Sequence, residues 1–184
     1  MFYRYIDHEL QLCLLNREKS AALYNLTNRN RAWLRQWLPW VDSIQKQGDT
    51  DYFISACLKR FATGEQLTCG ILYQNELSGV AGFNRYNYKT ATAYIGYWLS
   101  EDICGRGVMT RTVQELEKIA FFDMNLSKVE IHCAVENKNS RKIPIRLGYK
   151  EEGTIRRAEY LYGKIVDHVI YGILKEEYLN RNKH

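Results

Sequence analysis

The segment Cys104-Gly105-Arg106-Gly107-Val108-Met109-Thr110 contains two glycines separated by a single residue. Residues 92–99 before it mix β-branched and aromatic side chains and predict a strand. Apolar residues at three- and four-residue spacing after it predict an amphipathic helix. Glycine lets the backbone approach a ligand closely, and the first N–H groups of a helix attract anions. This turn is therefore a candidate phosphate site.

The two glycines alone do not establish a ligand, because a tight strand-to-helix connection without one fits them equally well. A Walker loop requires Gly-Lys-Ser or Gly-Lys-Thr, and a dinucleotide-binding fingerprint would need a third glycine at Thr110. The chain has neither of these motifs at this turn. The order of the surrounding elements must therefore decide what the turn binds.

Length and composition favour one compact domain spanning residues 1–184. The chain has 184 residues with 46% hydrophobic content, and neither a linker nor an internal repeat is apparent. Charged residues follow Met1–Tyr5, and no later stretch approaches the roughly twenty apolar residues that span a bilayer. We expect a cytoplasmic protein that does not contact a membrane.

The cysteines and the charged residues exclude several classes of function. Five cysteines are scattered singly, without a Cys-x-x-Cys pair or a histidine at metal-ligand spacing, so we expect reduced, mostly buried thiols and no metal. The net charge of +5 is dispersed along the chain and forms no basic stripe typical of nucleic-acid binding. It suits a phosphorylated cofactor or an acidic protein partner.

The periodicity of apolar residues predicts a mixed α/β (α+β) fold with a mostly antiparallel sheet flanked by helices. Strands 91–99 and 128–135 should run parallel, because a helix separates them. The predicted elements, in order, are strand 9–15, a helix from Ser20 to Trp37 stopped by Pro39, a helix capped by Asp49 or Thr50 and ended by Gly64, strands 66–73, 77–84 and 91–99, helix 108–124, strand 128–135, a short helix from 137–140 to Gly148, and strands 151–162 and 166–174.

Three of the four tryptophans fall within residues 33–40. This is more aromatic surface than one packing face of a short helix needs. Core packing is the favoured interpretation for at least one of them, and a substrate-facing aromatic wall is the alternative.

This order of elements resembles the GNAT superfamily of acetyl-CoA-dependent N-acetyltransferases. Within it, the chain resembles the branch of the RimJ and RimL ribosomal-protein acetyltransferases, over roughly residues 9 to 178. The motifs that carry the resemblance are Gly-x-Gly-x-Met-Thr at 105–110, Asn137-x-x-Ser140, Ser140-Arg141-Lys142-Ile143-Pro144, Leu147-Gly148-Tyr149, Ala158-Glu159 and Asp167-His168-Val169-x-Tyr171. The family usually has Gln or Arg where this chain has Cys104, and Gly or Ala where it has Met109. We therefore expect weaker side-chain help at the pyrophosphate.

The resemblance implies acetyl-CoA as cosubstrate and a central parallel strand pair that splays apart. Main-chain groups of the first of these strands would hold the pantetheine amides, and backbone N–H groups from Arg106 to Thr110 would hold the pyrophosphate. The implied cofactor-binding residues are Trp98, Leu99, Gly105, Arg106, Gly107, Val108, Met109, Thr110, Asn137 and Arg141.

The resemblance also implies two catalytic residues. Ser140 would be the general acid near the departing CoA sulfur, and a structural role at the helix start beside an Asn139 cap is the alternative. Glu159 would be the general base, in an aromatic strand where partial burial favours a base that works near neutral pH. The alternative for Glu159 is an exposed carboxylate paired with Arg156 or Arg157. His168 is chemically eligible, but a structural hydrogen-bonding role is favoured.

The function implied is acetylation of a primary amine, first of all the N-terminal α-amine of a protein, possibly ribosomal. A small amine such as a polyamine, aminoglycoside or amino-acid analogue is the second hypothesis, and a non-catalytic acyl-CoA-binding module is the third. The presence of Ser140 and Glu159 weighs against the third. The long terminal hairpin 151–174 and the many aromatic residues also predict a homo-oligomer.

Overall fold

The computed structural model describes residues 3–181, in which eight strands form one sheet. The strands are Tyr3–Tyr5 (β1), Leu10–Leu14 (β2), Leu67–Tyr73 (β3), Glu76–Asn87 (β4), Thr92–Leu99 (β5), Lys128–Ala134 (β6), Lys150–Leu161 (β7) and Lys164–Leu174 (β8). The α-helices are Ser20–Arg29 (α1), Arg31–Arg35 (α2), Gln47–Ala62 (α3), Val108–Lys118 (α4), Lys138–Arg146 (α5) and Lys175–Arg181 (α6). Short 3₁₀ turns cover Arg17–Lys19, Val41–Ser43 and Glu101–Ile103, and a π-helical turn, Ile119–Asp123, extends α4.

The strand order is β1-β2-β3-β4-β5-β6-β8-β7, and β5 and β6 are its parallel pair. This pair is joined only from Thr92–Ile95 to Lys128–Ile131. Beyond Ile95, β5 stays paired with β4 on its other side and no longer pairs with β6. The sheet therefore opens between the carboxyl-terminal halves of β5 and β6. The predicted mixed sheet with a splayed parallel pair is confirmed.

Alternation along the strands places the core on two faces of the sheet. On one face, Ile95 of β5, Cys133 of β6 and Val169 of β8 pack with Val113 and Leu116 of α4. On the other face, a second cluster joins Leu15, Leu23, Ile54 and Val80, with Trp98 packed against it. Each fully buried Leu, Ile or Val contributes about 1.5–3 kcal/mol, so the two clusters fix α4 on one side of the opening and α1 and α3 on the other.

The helix predicted from Ser20 to Trp37 is interrupted at Asn30, between α1 and α2. The Asn30 side chain donates from Nδ2 to the Leu26 carbonyl at 3.0 Å and accepts the Glu101 backbone N–H at 3.0 Å. Asparagine side chains compete in this way with backbone helix bonds. The interruption ties the start of α2 to the 3₁₀ turn that follows β5.

Several element boundaries differ from the prediction. Helix α3 begins at Gln47 and its N-cap is Lys46, three residues before the predicted cap Asp49, although Asp49 does accept the Gln45 and Lys46 N–H groups at the helix start. The short strand β1 and helix α6 were not predicted, since three and seven residues give little periodicity. The remaining strands lie within a few residues of their predicted ranges.

Candidate active site

The Gly105–Gly107 turn joins the 3₁₀ turn after β5 to the first residue of α4. Gly105 and Gly107 have φ values of 84° and 73°, in the left-handed region that favours glycine. A Cβ built on either glycine meets no heavy atom within 4 Å, so the turn faces open space. Gly107 is the N-cap of α4, and the helix's first N–H groups lack helical partners. The turn therefore presents unsatisfied donors where a phosphate group can approach.

Helix α5 begins beside the open end of β6, and Asn137 is its N-cap. The Asn137 Oδ1 atom accepts the Ser140 N–H at 3.1 Å. The predicted cap, Asn139, is wrong, because the side-chain oxygen of Asn137 accepts the N–H three residues later. Asn137 thereby fixes the backbone that carries Ser140.

Ser140 lies in a small hydrogen-bonded cluster with Tyr97 and Cys133. Its Oγ donates to the Tyr97 hydroxyl at 3.2 Å and lies 3.2 Å from the Cys133 Sγ. The Tyr97 hydroxyl in turn donates to the Ser140 carbonyl oxygen at 3.1 Å. That carbonyl is free because the residue four positions later, Pro144, has no N–H to offer it.

Burial keeps the Tyr97 hydroxyl and the Cys133 thiol protonated. It raises the pKa of Tyr97 well above its usual value, and it also raises the pKa of Cys133. The neutral Tyr97 hydroxyl accepts the Ser140 Oγ–H and so holds the Ser140 hydroxyl in place. No role for the Tyr97 side chain follows from the strand pattern of residues 92–99, although the spacing from Ser140 to Pro144 indicates that a carbonyl is free.

Arg141, predicted to bind cofactor, makes several contacts within the protein. Its Nε donates to the Tyr171 hydroxyl at 2.9 Å, and its Nη1 donates to the Val135 carbonyl at 3.0 Å. Its Nη2 lies 3.7 Å from the Glu151 carboxylate. These contacts anchor α5 to β7, to β8 and to the residue after β6, so Arg141 supports the position of Ser140 as well.

Glu159 lies on β7 and contacts His168 of β8, with 3.2 Å between the Glu159 Oε2 and the His168 Nε2. The expected alternative, a pair with Arg156 or Arg157, is wrong. A bulge lies between the pairs Ile155–His168 and Glu159–Val166, and Arg157 within it has a φ of 53°.

The bulge is held by a backbone contact. The Arg157 N–H donates to the Asp167 carboxylate at 2.8 Å. Bulges redirect the side chains next to them. Here the irregularity brings Glu159 beside His168, and the Glu159 side chain remains 28% exposed.

The two predicted catalytic residues lie on opposite faces of the sheet. Cys133 packs in the cluster that contains α4, and Ser140 contacts it there. His168 precedes Val169, which belongs to the same cluster, so the His168 side chain points to the other face. The sheet lies between Ser140 and the Glu159–His168 pair. The structure therefore does not bring Ser140 and Glu159 into direct contact.

The tryptophan-rich segment borders the second face. Trp33 donates from Nε1 to the Leu99 carbonyl at 3.2 Å, and the Trp40 ring lies 6.1 Å from that of Trp98. Trp33, Trp37 and Trp40 are all only partly buried, so the core role predicted for at least one tryptophan of residues 33–40 is wrong. At the far end, the Tyr162 hydroxyl donates to the Leu38 carbonyl at 2.8 Å.

These contacts make residues 30–42 a bridge from the end of β5 to the β7–β8 turn. Strand β6 lies between β5 and β8, and its last pair with β8 is Ala134 with His168. Residues 164–167 therefore project beyond β6. The bridge must cross in front of the sheet opening, and aromatic rings border that space.

The comparison with protein families decides the identity of this fold and site. The family described as "Acetyltransferase (GNAT) domain" matches residues 9–150, which is most of the chain. The chain belongs to the GNAT acetyltransferase family. The resemblance inferred from the motifs at 105–110 and 137–149 is thus confirmed.

Curated and solved relatives of this GNAT acetyltransferase agree with that placement. The chain is 30% identical over 171 residues to the ribosomal-protein-serine acetyltransferase of Escherichia coli (strain K12), covering 88% of this chain and 96% of the relative. A solved RimL, the ribosomal L7/L12 α-N-protein acetyltransferase bound to coenzyme A through a disulfide to one of its cysteines, has a TM-score of 0.92 at 29% identity and covers 96% of this chain and 99% of its own. The microcin C7 self-immunity acetyltransferase MccE, solved with acetyl-CoA and AMP, has a TM-score of 0.88 at 28% identity, with coverage of 92% and 94%.

The site of this GNAT acetyltransferase fits acetyl-CoA as its cosubstrate. The open glycine turn and the first turn of α4 offer backbone donors to the phosphates, and the gap between β5 and β6 is free of strand pairing. Over residues 3–181, three or more His, Cys, Asp or Glu side chains nowhere come together as a metal site. Within the same range, no helix is both long and apolar enough to cross a membrane.

Proposed function

We propose that this GNAT acetyltransferase transfers the acetyl group of acetyl-CoA to the N-terminal α-amine of a ribosomal protein. The observation that carries the proposal is the match, along nearly the whole chain, to an enzyme named for acetylating ribosomal-protein serine and to a solved RimL. The bridge of residues 30–42 supports a defined acceptor space on the face that carries Glu159 and His168. A ribosomal acceptor implies action in the cytoplasm.

The proposed cofactor contacts follow the geometry of the turn. The diphosphate would lie against the N–H groups from Arg106 to Thr110, including those of Val108 and Met109, with Gly105 and Gly107 leaving room for it. Main-chain groups near Trp98 and Leu99 would flank the pantetheine in the sheet opening. The Leu99 carbonyl already accepts the Trp33 indole, so we expect its contribution to be smaller than the sequence predicted.

The proposed proton steps use both faces of the sheet. Acetyl-CoA supplies the acetyl group as a thioester. Glu159, directly or through His168 or water, takes a proton from the ammonium form of the acceptor so that the neutral nitrogen attacks. Attack forms the C–N bond, and the C–S bond then breaks. Ser140 donates its hydroxyl proton to the departing sulfur and regains a proton, through water, from the nitrogen, which must lose one to become the amide. Tyr97 fixes the direction of the Ser140 hydroxyl.

The solved RimL supports the position of Ser140 near the CoA sulfur. In that protein, coenzyme A forms a disulfide with a cysteine, so a protein thiol lies within reach of the cofactor thiol. We propose that Cys133 holds the corresponding place here, because its Sγ lies 3.2 Å from the Ser140 Oγ at the open end of β6. A hydroxyl beside that thiol is well placed to protonate the leaving sulfur.

We also propose that copies of the chain associate through the terminal hairpin. Strand β7 is an edge strand, and Tyr160 and its partner Ile165 are 67% and 47% exposed. Exposed apolar residues on a long edge strand favour pairing with a second copy. Light scattering at micromolar concentration tests this, since a strictly monomeric mass would contradict it.

The function is tested with four acceptors of matched design. A peptide with N-terminal Ser and no Lys, the same peptide with a blocked N-terminus, a blocked peptide with one Lys, and spermidine are each incubated with the protein and acetyl-CoA. We expect mass spectrometry to show one acetyl group on the first peptide alone. Acetylation of spermidine or of the lysine side chain in preference to the α-amine would overturn the proposal.

A further inference from the structure

Arg146 is the last residue of α5, and it reaches the first turn of α4. Its Nη1 donates to the Thr110 Oγ1 at 3.0 Å, and both groups are accessible to solvent. Within residues 3–181, this is the one hydrogen bond found for the Arg146 side chain, and no carboxylate pairs with it. A guanidinium has five N–H donors in a planar fork, so most of its donors remain available.

Two other arginines near this turn, Arg111 and Arg181, are committed elsewhere. Arg111, one residue beyond Thr110, is held by Asp7 and Glu9 at 2.6 and 2.9 Å. Arg181 forms an ion pair with the buried Glu117 at 2.6 Å. Arg146 is therefore a cation without a carboxylate partner, and its bond to Thr110 places it beside the glycine turn.

Helix α5 relates the two ends of the cofactor site. Ser140 is at its start and Arg146 at its end, and six residues of helix rise by about 9 Å. The same short helix thus carries the hydroxyl proposed for the thioester end and a guanidinium at the phosphate end. Cys104 supplies no cationic or amide side chain to this turn, so a cation on another element can add to the charge of Arg106.

We propose that Arg146 binds a phosphate group of acetyl-CoA through the N–H donors that Thr110 leaves free. The inference rests on the proposed placement of the diphosphate at the Gly105–Thr110 turn. Guanidinium groups match phosphate oxygens in geometry, and hydrogen bonds between charged groups are the strong ones. Arg146 thereby replaces the help that the side chain at position 104 gives in the family.

The test compares acetyl-CoA with two analogues, one lacking the 3′-phosphate and one lacking every phosphate together with the adenosine. Arg146→Gln is titrated calorimetrically with acetyl-CoA, 3′-dephospho-acetyl-CoA and S-acetylpantetheine, which has no phosphate. We expect acetyl-CoA to bind about tenfold to a hundredfold more weakly than to the unmodified protein, the range for a charge-assisted hydrogen bond. S-acetylpantetheine should bind equally well to both proteins. Arg146→Lys should recover part of the affinity, since it keeps the charge and loses the planar fork.

The same titrations identify which phosphate of acetyl-CoA Arg146 binds. A loss that persists with 3′-dephospho-acetyl-CoA assigns Arg146 to the diphosphate, and a loss that disappears assigns it to the 3′-phosphate. Lys142→Gln is the control, because it removes an exposed cation from the same helix. Unchanged acetyl-CoA affinity in Arg146→Gln, or an equal loss for S-acetylpantetheine, would overturn the inference. Neither readout needs an acceptor, so failure of the proposed acceptor chemistry would not be mistaken for failure here.

Discussion

Tyr97 and Ser140 are joined by two hydrogen bonds of opposite direction. The Tyr97 hydroxyl donates to the Ser140 carbonyl at 3.1 Å and accepts the Ser140 Oγ–H at 3.2 Å. The first bond exists because Pro144 withholds the N–H that would otherwise take this carbonyl. A proline inside α5 thus couples β5 to the proposed general acid on the same helix, across the opening of the sheet.

Tyr97→Phe removes both bonds and keeps the ring. We expect the turnover number to fall by up to about tenfold, because the Ser140 hydroxyl loses the partner that directs it. Acetyl-CoA affinity should not change. In a Ser140→Ala background, Tyr97→Phe should have no further effect on turnover, and an independent loss there would contradict the coupling.

Gly107→Asn tests the turn while respecting its backbone. Asparagine tolerates the left-handed conformation that Gly107 adopts at φ 73°, so the fold should survive, whereas valine would add strain there. The new side chain would occupy the open space in front of the α4 donors, and calorimetry should show a marked loss of acetyl-CoA affinity. Gly64→Asn is the matched control, at φ 71° and at the end of α3. Equal affinities in the two variants would exclude the turn as the phosphate site.

The sequence was sufficient for the elements whose signals are local. The glycines at 105 and 107, the alternation in 128–135 and the spacing of apolar residues after Val108 located the turn, β6 and α4. Contacts between distant residues could not be predicted in this way. The His168 partner of Glu159 depends on a bulge in β7, and the Arg146–Thr110 bond depends on how α5 packs beside α4.

Tyr162 offers a test of the bridge over the acceptor space. It has a φ of 47° in the β7–β8 turn, its hydroxyl donates to the Leu38 carbonyl, and the Arg35 guanidinium lies 3.9 Å from its ring centre. Tyr162→Phe breaks the link to Leu38, so KM for the acceptor peptide should rise by about fivefold with little change in acetyl-CoA affinity. Tyr160→Phe, at an exposed neighbour, should behave like the unmodified protein. An unchanged acceptor KM in Tyr162→Phe would show that the bridge does not shape the acceptor space.

The buried pair of Glu117 and Arg181 predicts a stability that depends on pH. Burial raises the pKa of Glu117 even though Arg181 lies 2.6 Å away. The folded state therefore holds this proton more tightly than the unfolded state does, and the stability contributed by Glu117 declines as pH rises through its folded pKa.

Arg181→Ala removes the positive charge that pairs with Glu117, so the loss of stability with rising pH should become larger. We expect a loss of about 3–5 kcal/mol in the free energy of unfolding at neutral pH. The loss should shrink as the pH falls towards the usual range for Glu, in denaturant titrations. In a Glu117→Gln background the pH dependence of the Arg181→Ala effect should vanish, and its persistence would assign it to another group.

Glu159→Gln tests the proposed general base. The variant keeps the size of the side chain and its capacity to contact His168, but it cannot take a proton. Turnover at neutral pH should fall by roughly a hundredfold or more, the usual contribution of general base catalysis, while acetyl-CoA affinity stays the same. Because alkaline solution deprotonates the amine unaided, the turnover of the variant should recover relative to the unmodified protein as pH rises.

Arg156→Gln, an exposed change three residues away, controls for the altered charge of the strand. If Glu159→Gln keeps near-normal turnover at neutral pH, then Glu159 only orients His168, and His168 or water must accept the proton.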